Sequence, residues 1–122
     1  MAGGTMTINH ADTKLEPGSD TKLEPGADIK VIGLHFAIAA DVDLSDAKGQ
    51  GTNAIGAVLT RGKFARADLR GALLCHCDLT GADFTDADLT GANLHGSNVI
   101  GATFAGALLD GVVWDACKGA PK

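Results

Sequence analysis

Residues 82–96 decide the fold, and they read Ala82-Asp83-Phe84-Thr85-Asp86, Ala87-Asp88-Leu89-Thr90-Gly91, Ala92-Asn93-Leu94-His95-Gly96. Each block of five opens with alanine, continues with an acid or amide, has a large apolar residue at its centre and ends on two further residues, most of them polar or small. A period of five fits neither the 3.6 residues of a helical turn nor the two-residue alternation of a strand. A fixed short period is typical of a solenoid, in which each unit buries its apolar face only against its neighbours.

The same phase runs through residues 57–116. The apolar centres are Leu59, Phe64, Leu69, Leu74, Leu79, Phe84, Leu89, Leu94, Val99, Phe104, Leu109 and Trp114. Two positions before each centre the residue is small, with Val112 as the largest. One large and one small inward residue in every five predicts a narrow tube with tight corners, where glycine, Asp and Asn suit the turns.

These blocks resemble the pentapeptide-repeat family, whose consensus is close to Ala-(Asp/Asn)-Leu-X-X. The resemblance implies an all-β fold: a right-handed, quadrilateral (four-sided) β-helix in which four pentapeptides make one coil of twenty residues. The spacing of Phe64, Phe84 and Phe104 supports this coil length independently, because residues twenty apart would stack. We expect these three rings to form a core ladder, with Trp114 closing part of the last coil.

The repeat frame divides the chain into three parts. Residues 27–116 are interpreted as about four and a half coils, degenerate over 27–56 and clear over 57–116, followed by a tail at 117–122. A capping helix at 30–41 is the alternative for the degenerate part. Residues 1–26 form an N-terminal extension with a tandem Thr-Lys-Leu-Glu-Pro-Gly octapeptide, which is either a duplicated linker or a cap on the first coil.

One wall of the predicted β-helix carries alternating charges. Its two outward columns are Asp43, Lys63, Asp83 and Asp46, Arg66, Asp86. Neighbouring coils lie roughly 4.8 Å apart, so opposite charges would face each other along both columns. This pattern favours a salt-bridge ladder on a solvated wall over a charged binding strip.

The wall built on Leu34, Ala54, Leu74, Leu94 and Trp114 is nearly uncharged. Its predicted partner-binding residues are His35, Phe36, Ile55, Leu73, Cys75, His76, His95 and Val113. A flat wall with exposed apolar groups indicates a protein-docking surface. The alternative is a set of scattered apolar residues of the kind that soluble proteins tolerate.

The reactive side chains of this wall do not indicate an enzyme. Cys75, His95 and Asp115 share one outward column in the order of a catalytic triad. However, outward side chains of a β-helix offer neither a pocket nor an oxyanion hole, so no catalytic residue and no cofactor are predicted. Cys75, His76 and His95 are the alternative metal ligands, but we predict no metal site.

Cysteine usage favours a reducing compartment. Cys77 and Cys117 share an inward column two coils apart, roughly 10 Å, which is too far for a disulfide. Residues 1–26 contain no apolar leader and no segment has membrane-spanning length, so we expect a cytoplasmic protein without a membrane partner.

The function predicted from these patterns is a non-catalytic scaffold for protein–protein interaction. It would bind a protein partner or a second copy, as a homodimer, through a flat wall or an open coil end.

The alternative comes from the resemblance: some pentapeptide-repeat proteins resemble B-DNA, bind DNA gyrase and confer quinolone resistance. Residues 27–116 carry eleven acids and six bases. Duplex DNA of the same length, roughly 22 Å, would carry about thirteen negative charges, so gyrase binding is the minority interpretation. An acidic chain without a basic stripe also argues against direct nucleic-acid binding.

Overall fold

The computed structural model describes residues 25–29 and 34–121. Within these ranges there is no α-helix and no strand longer than a single residue. Instead, one-residue parallel β-bridges alternate with two-residue turns: Ile38 is a bridge, residues 40–41 a turn, and Asp43 the next bridge. The chain therefore changes direction every five residues, as the sequence period requires.

Every bridge joins two residues that are twenty apart in the chain. The bridges form four parallel ladders, which we name after one member each. The Asp88 ladder contains Asp28, Lys48, Asp68, Asp88 and Leu108; the Leu73 ladder Asn53, Leu73, Asn93 and Val113; the Asp78 ladder Ile38, Val58, Asp78, Asn98 and Lys118; and the Lys63 ladder Asp43, Lys63, Asp83 and Thr103. This arrangement is a β-helix solenoid with twenty residues to the coil.

Three backbone hydrogen bonds per pentapeptide join neighbouring coils. The N–H of Leu69 donates to the carbonyl of Asp88 on the next coil at 2.8 Å, and the N–H of Gly71 donates to the carbonyl of Thr90 at 2.9 Å. The N–H of Asp88 donates in turn to the carbonyl of Ala67 at 2.9 Å. Most turns are closed by a further bond within the coil, as by the N–H of Ala72 donating to Leu69 at 3.0 Å. These bonds leave few backbone groups of an inner coil without a partner, which a narrow core demands.

The core consists of the central and the small residue of each pentapeptide. Phe64, Phe84 and Phe104 stack in register, with ring centroids 5.1 and 5.2 Å apart. Phe64 and Phe84 are buried, whereas Phe104 is partly exposed. Trp114 lies on the opposite side of the coil and meets Phe104 edge-on at 5.6 Å.

The degenerate part of the repeat keeps the same geometry because its neighbours fill the space. Gly49 stands where other pentapeptides have a large central residue. A Cβ at Gly49 would lie 2.9 Å from Cδ2 of Leu69 and 3.1 Å from Cδ1 of Ile29, so these two side chains occupy the position. Thr52 is buried, and its hydroxyl donates to the carbonyl of Ile29 at 2.8 Å.

The alternative of a capping helix at 30–41 does not hold for residues 34–41. They form two turns with the Ile38 bridge between them; residues 30–33 lie outside the described part. Most of the tandem octapeptide lies outside it too, apart from residues 25–28, where Asp28 pairs with Lys48. At the other end the bridges continue to Lys118, which pairs with Asn98. No helix able to cross a membrane occurs in the described residues.

Candidate functional site

The candidate site is the uncharged wall, defined here as the Leu73 ladder together with the turns that follow it: 35–36, 55–56, 75–76, 95–96 and 115–116. The eight residues expected from the sequence occupy two kinds of position. Leu73 and Val113 are bridge residues that point outward from the ladder, and the other six are turn residues at one corner of the coil. The register therefore brings all eight to one side of the solenoid.

Exposure separates these eight residues. Phe36 is 63% exposed, Val113 38% and Leu73 37%. His76 and His95 are also exposed, whereas His35, Ile55 and Cys75 are half-buried. The apolar contact area that the wall offers is therefore concentrated at Phe36, with smaller contributions from the two bridge residues.

Sequence reasoning missed two exposed apolar residues on other sides of the coil. Ile100 is 51% exposed at a turn, and Leu108 is 56% exposed on the Asp88 ladder. Their positions in the five-residue frame, the first turn residue and the outward bridge residue, are the signal that could have found them.

Aromatic rings and glycines alternate along the corner of the uncharged wall. A Cβ at Gly56 would lie 2.7 Å from Cδ1 of Phe36, and one at Gly96 would lie 2.5 Å from Nδ1 of His76. Each ring thus occupies the space beside the glycine of the next coil. His76 also meets His95 edge-on at 5.3 Å.

Phe36 and His76 adopt a left-handed backbone conformation, with φ of 58° and 57°. For a residue with a bulky side chain this costs roughly 1–2 kcal/mol. At other corners the residues with positive φ include Asp41 and Arg61, which form an exposed ion pair with each other. The positive φ thus belongs to the repeat, and Phe36 is distinguished by the 63% exposure of a large apolar ring at this position.

We expect Gly96→Ala to destabilise the protein more than Gly91→Ala. Both glycines have positive φ, 73° and 71°, so both substitutions strain the backbone by about 1 kcal/mol. Only at Gly96 would the new methyl group also displace the His76 ring, because nothing lies within 4 Å of a Cβ at Gly91. Urea unfolding of the two variants measures the difference. Equal losses would show that His76 does not rest on Gly96.

Two of the three cysteines have thiols that burial makes less acidic. The Cys77 thiol is buried and donates to the carbonyl of Ala54 at 2.8 Å. Burial raises the pKa of Cys77 to about 12, so its reactive thiolate does not form at neutral pH. Burial also raises the pKa of Cys117. Cys75 is half-buried on the uncharged wall, and none of the three cysteines forms a disulfide.

No group of three or more His, Cys, Asp or Glu side chains in the described residues is arranged to hold a metal ion. The column of Cys75, His95 and Asp115 follows from the register, but its side chains line an outer corner of the coil.

The charged wall on the Lys63 ladder differs from the expected continuous salt-bridge ladder. Arg66 donates two hydrogen bonds to Asp46, both 2.9 Å, rather than pairing with Asp86. Arg61 makes the same bidentate contact with Asp41 at 2.8 and 2.9 Å, which the sequence did not indicate. Hydrogen bonding from these arginines lowers the pKa of both carboxyls.

Lys63 forms no ion pair with Asp43 or Asp83 in the described residues, and the reason is local. The Asp83 carboxylate accepts from the hydroxyl and the N–H of Thr85 at 2.5 and 2.9 Å. The Asp43 carboxylate accepts from the N–H of Ser45 at 3.1 Å. Hydrogen bonds within their own turns lower the pKa of both carboxyls, because they stabilise the ionised form. These turns compete with the lysine for the same oxygens.

Comparison with known proteins agrees with this geometry. Residues 67–106 match the family model described as Pentapeptide repeats, in 8 copies. The pentapeptide-repeat resemblance is therefore confirmed: this segment consists of pentapeptide repeats, and the chain around it has the fold of solved pentapeptide-repeat proteins. A search of curated proteins finds no match.

Three solved structures illustrate the similarity. Rfr23, a pentapeptide repeat protein from the cyanobacterium Cyanothece 51142, is 25% identical with a TM-score of 0.70 over 84% of this chain and 66% of its own. HetL, involved in heterocyst differentiation regulation in the cyanobacterium Nostoc sp. strain PCC 7120, is 24% identical with a TM-score of 0.73 over 85% of this chain and 52% of its own. QnrB1, a plasmid-mediated fluoroquinolone resistance protein, is 30% identical with a TM-score of 0.57 over 68% of this chain and 39% of its own. The chain thus spans less than two thirds of the length of each.

Proposed function

We propose that the protein is a non-catalytic scaffold that binds another protein, or a second copy of itself, through the uncharged wall. The observation that carries this proposal is Phe36, which is 63% exposed in a strained left-handed conformation. Its wall continues over Leu73 and Val113, and Asp115 is its one Asp, Glu, Lys or Arg among the described residues. Charge-poor surfaces with aromatic anchors are typical of the centre of protein interfaces.

The backbone of the wall supports the same proposal. Inner coils of the Leu73 ladder are bonded on both sides: Leu73 donates to Thr52 on the preceding coil at 2.8 Å, and Leu74 donates to Asn93 on the following coil at 2.8 Å. Because the backbone of this surface is already fixed, it does not have to become ordered when a partner binds, and this lowers the entropic cost of association.

The proposal predicts a dimer that Leu73→Asp/Val113→Asp disrupts. Two carboxylates in the middle of an apolar contact would be desolvated without partners, so the double variant should be monomeric. Light scattering on a size-exclusion column measures the molar mass, and Leu108→Asp is the control because Leu108 is exposed on a different ladder. If the parent is monomeric, a pull-down compares partner capture by parent and double variant. Equal capture would contradict the proposal.

The end of the last described coil is the second place where a copy could add. The N–H of Leu94 donates to Val113 at 2.9 Å, but the equivalent N–H groups of Phe104, Leu109 and Trp114 have no backbone acceptor among the described residues. An unpaired edge of this kind is a template for strand addition. A dimer that survives the double substitution would place the interface at this end.

Gyrase binding is the second candidate function. The similarity to QnrB1 favours it, together with the DNA-like charge that the family resemblance implies. Two bidentate pairs weigh against it, since Arg61 and Arg66 neutralise Asp41 and Asp46. Protection of gyrase supercoiling from a quinolone at sub-micromolar protein would reverse the ranking.

Several finer features belong to the same proposal. We keep the right-handed sense of the coil as a prediction from the resemblance, and about four and a half coils and a linker or cap role for residues 1–26 as predictions from the sequence. A cytoplasmic location is supported by three unpaired thiols, which are typical of reducing compartments. The proposal includes neither a membrane partner nor direct contact with nucleic acid.

A further inference from the structure

We propose that the partner of the uncharged wall is the uncharged wall of a second copy, packed antiparallel about a two-fold axis that follows the row of Leu73, Cys75 and His76. This inference rests on the proposed function and specifies its partner and geometry. The row is the middle one of the wall, with two coils on either side of it.

The geometry of a two-fold contact supplies the first argument. When two such walls face each other about an axis perpendicular to the solenoid, each column of residues meets the same column in reverse order. Residues of the middle row then meet their own equivalents. A residue one or two coils above the row meets the residue equally far below it in the other copy. The pattern along each column can therefore be tested for self-complementarity.

The corner column with positive φ is self-complementary in size. It contains Phe36, Gly56, His76, Gly96 and Ala116. When the two-fold axis reverses the order of this column, Phe36 faces Ala116 of the second copy, so the largest exposed ring meets a small, exposed residue. Gly56 meets Gly96, and the two His76 rings meet at the axis.

The neighbouring columns bring together side chains that can hydrogen-bond across the axis. The first turn position of each coil contains His35, Ile55, Cys75, His95 and Asp115. Reversal places Asp115, the one acid of the wall, against His35 of the second copy. On the Leu73 ladder, Asn53 meets Asn93, whose side-chain amides can both donate and accept, and Leu73 meets Leu73.

Arg70 is the one nearby cation that would meet its own equivalent at the axis. It lies at the opposite edge of the wall, and its guanidinium donates to Asp68 at 2.8 Å with Asp88 at 4.0 Å. Its charge is therefore neutralised on the Asp88 ladder. From His35 to Asp115 the wall spans four coil spacings, roughly 19 Å, so the contact is small and the dimer should depend on protein concentration.

Cys75 on the axis gives a direct test in the parent chain. Diamide takes two protons and two electrons from a pair of thiols and leaves a disulfide. We expect a covalent dimer on a non-reducing gel and its loss in Cys75→Ser. Cys77 and Cys117 remain in that variant; the Cys77 thiol is buried and bonded to Ala54, and the half-buried Cys117 thiol donates to Leu94.

The register is tested in the Cys75→Ser background with a size tag on one partner. Asn53→Cys mixed with Asn93→Cys should form a mixed disulfide dimer, whereas each variant alone should not cross-link. Leu108→Cys in the same background controls for random collision, because Leu108 is exposed on another ladder.

The outcomes separate this inference from the proposed function. Cross-linking as strong at Leu108→Cys as at Cys75, or no preference for the Asn53→Cys and Asn93→Cys mixture, overturns the antiparallel geometry. If the dimer is nevertheless split by Leu73→Asp/Val113→Asp, the wall still binds and the proposed function stands. A double variant that changes no association at all overturns both.

Discussion

We expect Phe84→Ala to lower the free energy of unfolding by about 3–5 kcal/mol, the usual cost of removing a buried aromatic side chain. Phe84 is fully buried, and its ring lies between those of Phe64 and Phe104 at 5.1 and 5.2 Å. Deleting the middle ring removes two stacking contacts and leaves a cavity in the core of the tube. Because each coil of a solenoid contacts only its neighbours, no distant residue can collapse into the gap.

Urea unfolding followed through Trp114, the single tryptophan, measures this loss. Arg66→Ala is the surface control and should cost far less, because both members of its ion pair with Asp46 are solvent-exposed. The loss of unfolding free energy in Phe104→Ala should lie between those of Phe84→Ala and Arg66→Ala, since Phe104 is only half-buried. If Phe84→Ala unfolds at the same urea concentration as the parent, the ring does not contribute the stacking that the structure shows.

The second large effect is expected for Ser97→Ala, at about 2 kcal/mol. In most turns the N–H of the third residue donates directly to the carbonyl before the turn, as Ala82 does to Leu79 at 3.0 Å. At the turn after Leu74 the Ser97 hydroxyl takes part instead. The N–H of Cys77 donates to Oγ of Ser97 at 2.9 Å, and that hydroxyl donates to the carbonyl of Leu74. Alanine would leave both backbone groups buried without a partner.

Two further variants test this explanation by the same urea titration. Ser97→Cys should recover part of the loss, because the Cys77 and Cys117 thiols of the same column already donate to the equivalent carbonyls of Ala54 and Leu94. Thr52→Val should cost less than Ser97→Ala, since the turn at Thr52 keeps its direct bond to Gly49 at 3.0 Å. A Ser97→Ala protein as stable as the parent would mean that the turn closes directly once the hydroxyl is gone.

Much of the fold could be predicted from the sequence because its information is local and repeated. Residues such as Ala82 and Phe84 recur at the same positions of each pentapeptide, so one repeat assigns inward and outward faces for all the others. The interval between Phe64 and Phe84 indicates the coil length, and the bridges have the same interval. Even Gly49, which breaks the pattern, is accommodated because Ile29 and Leu69 fill its place.

The details of the candidate site could not be predicted in the same way. The sequence placed eight residues on the uncharged wall, but only the structure separates the exposed Phe36 from the half-buried Ile55. The positive φ of Phe36 follows from the repeat, because the second turn residue of every described pentapeptide has positive φ. The exposure of its ring beside Gly56 does not follow from the period of five.

The sequence by itself thus determined the solenoid, its register and the side of the coil on which each residue lies. These follow from a repeated balance between burying one large side chain and turning the chain every five residues. The tertiary structure alone decided which polar groups pair. Arg66 binds Asp46, whereas Asp83 turns its carboxylate to Thr85 and leaves Lys63 without that partner. The reason is physical. Small differences in distance and geometry decide whether a carboxylate accepts from a donor of its own turn or from one of the next coil, and these differences cannot be read from residue spacing.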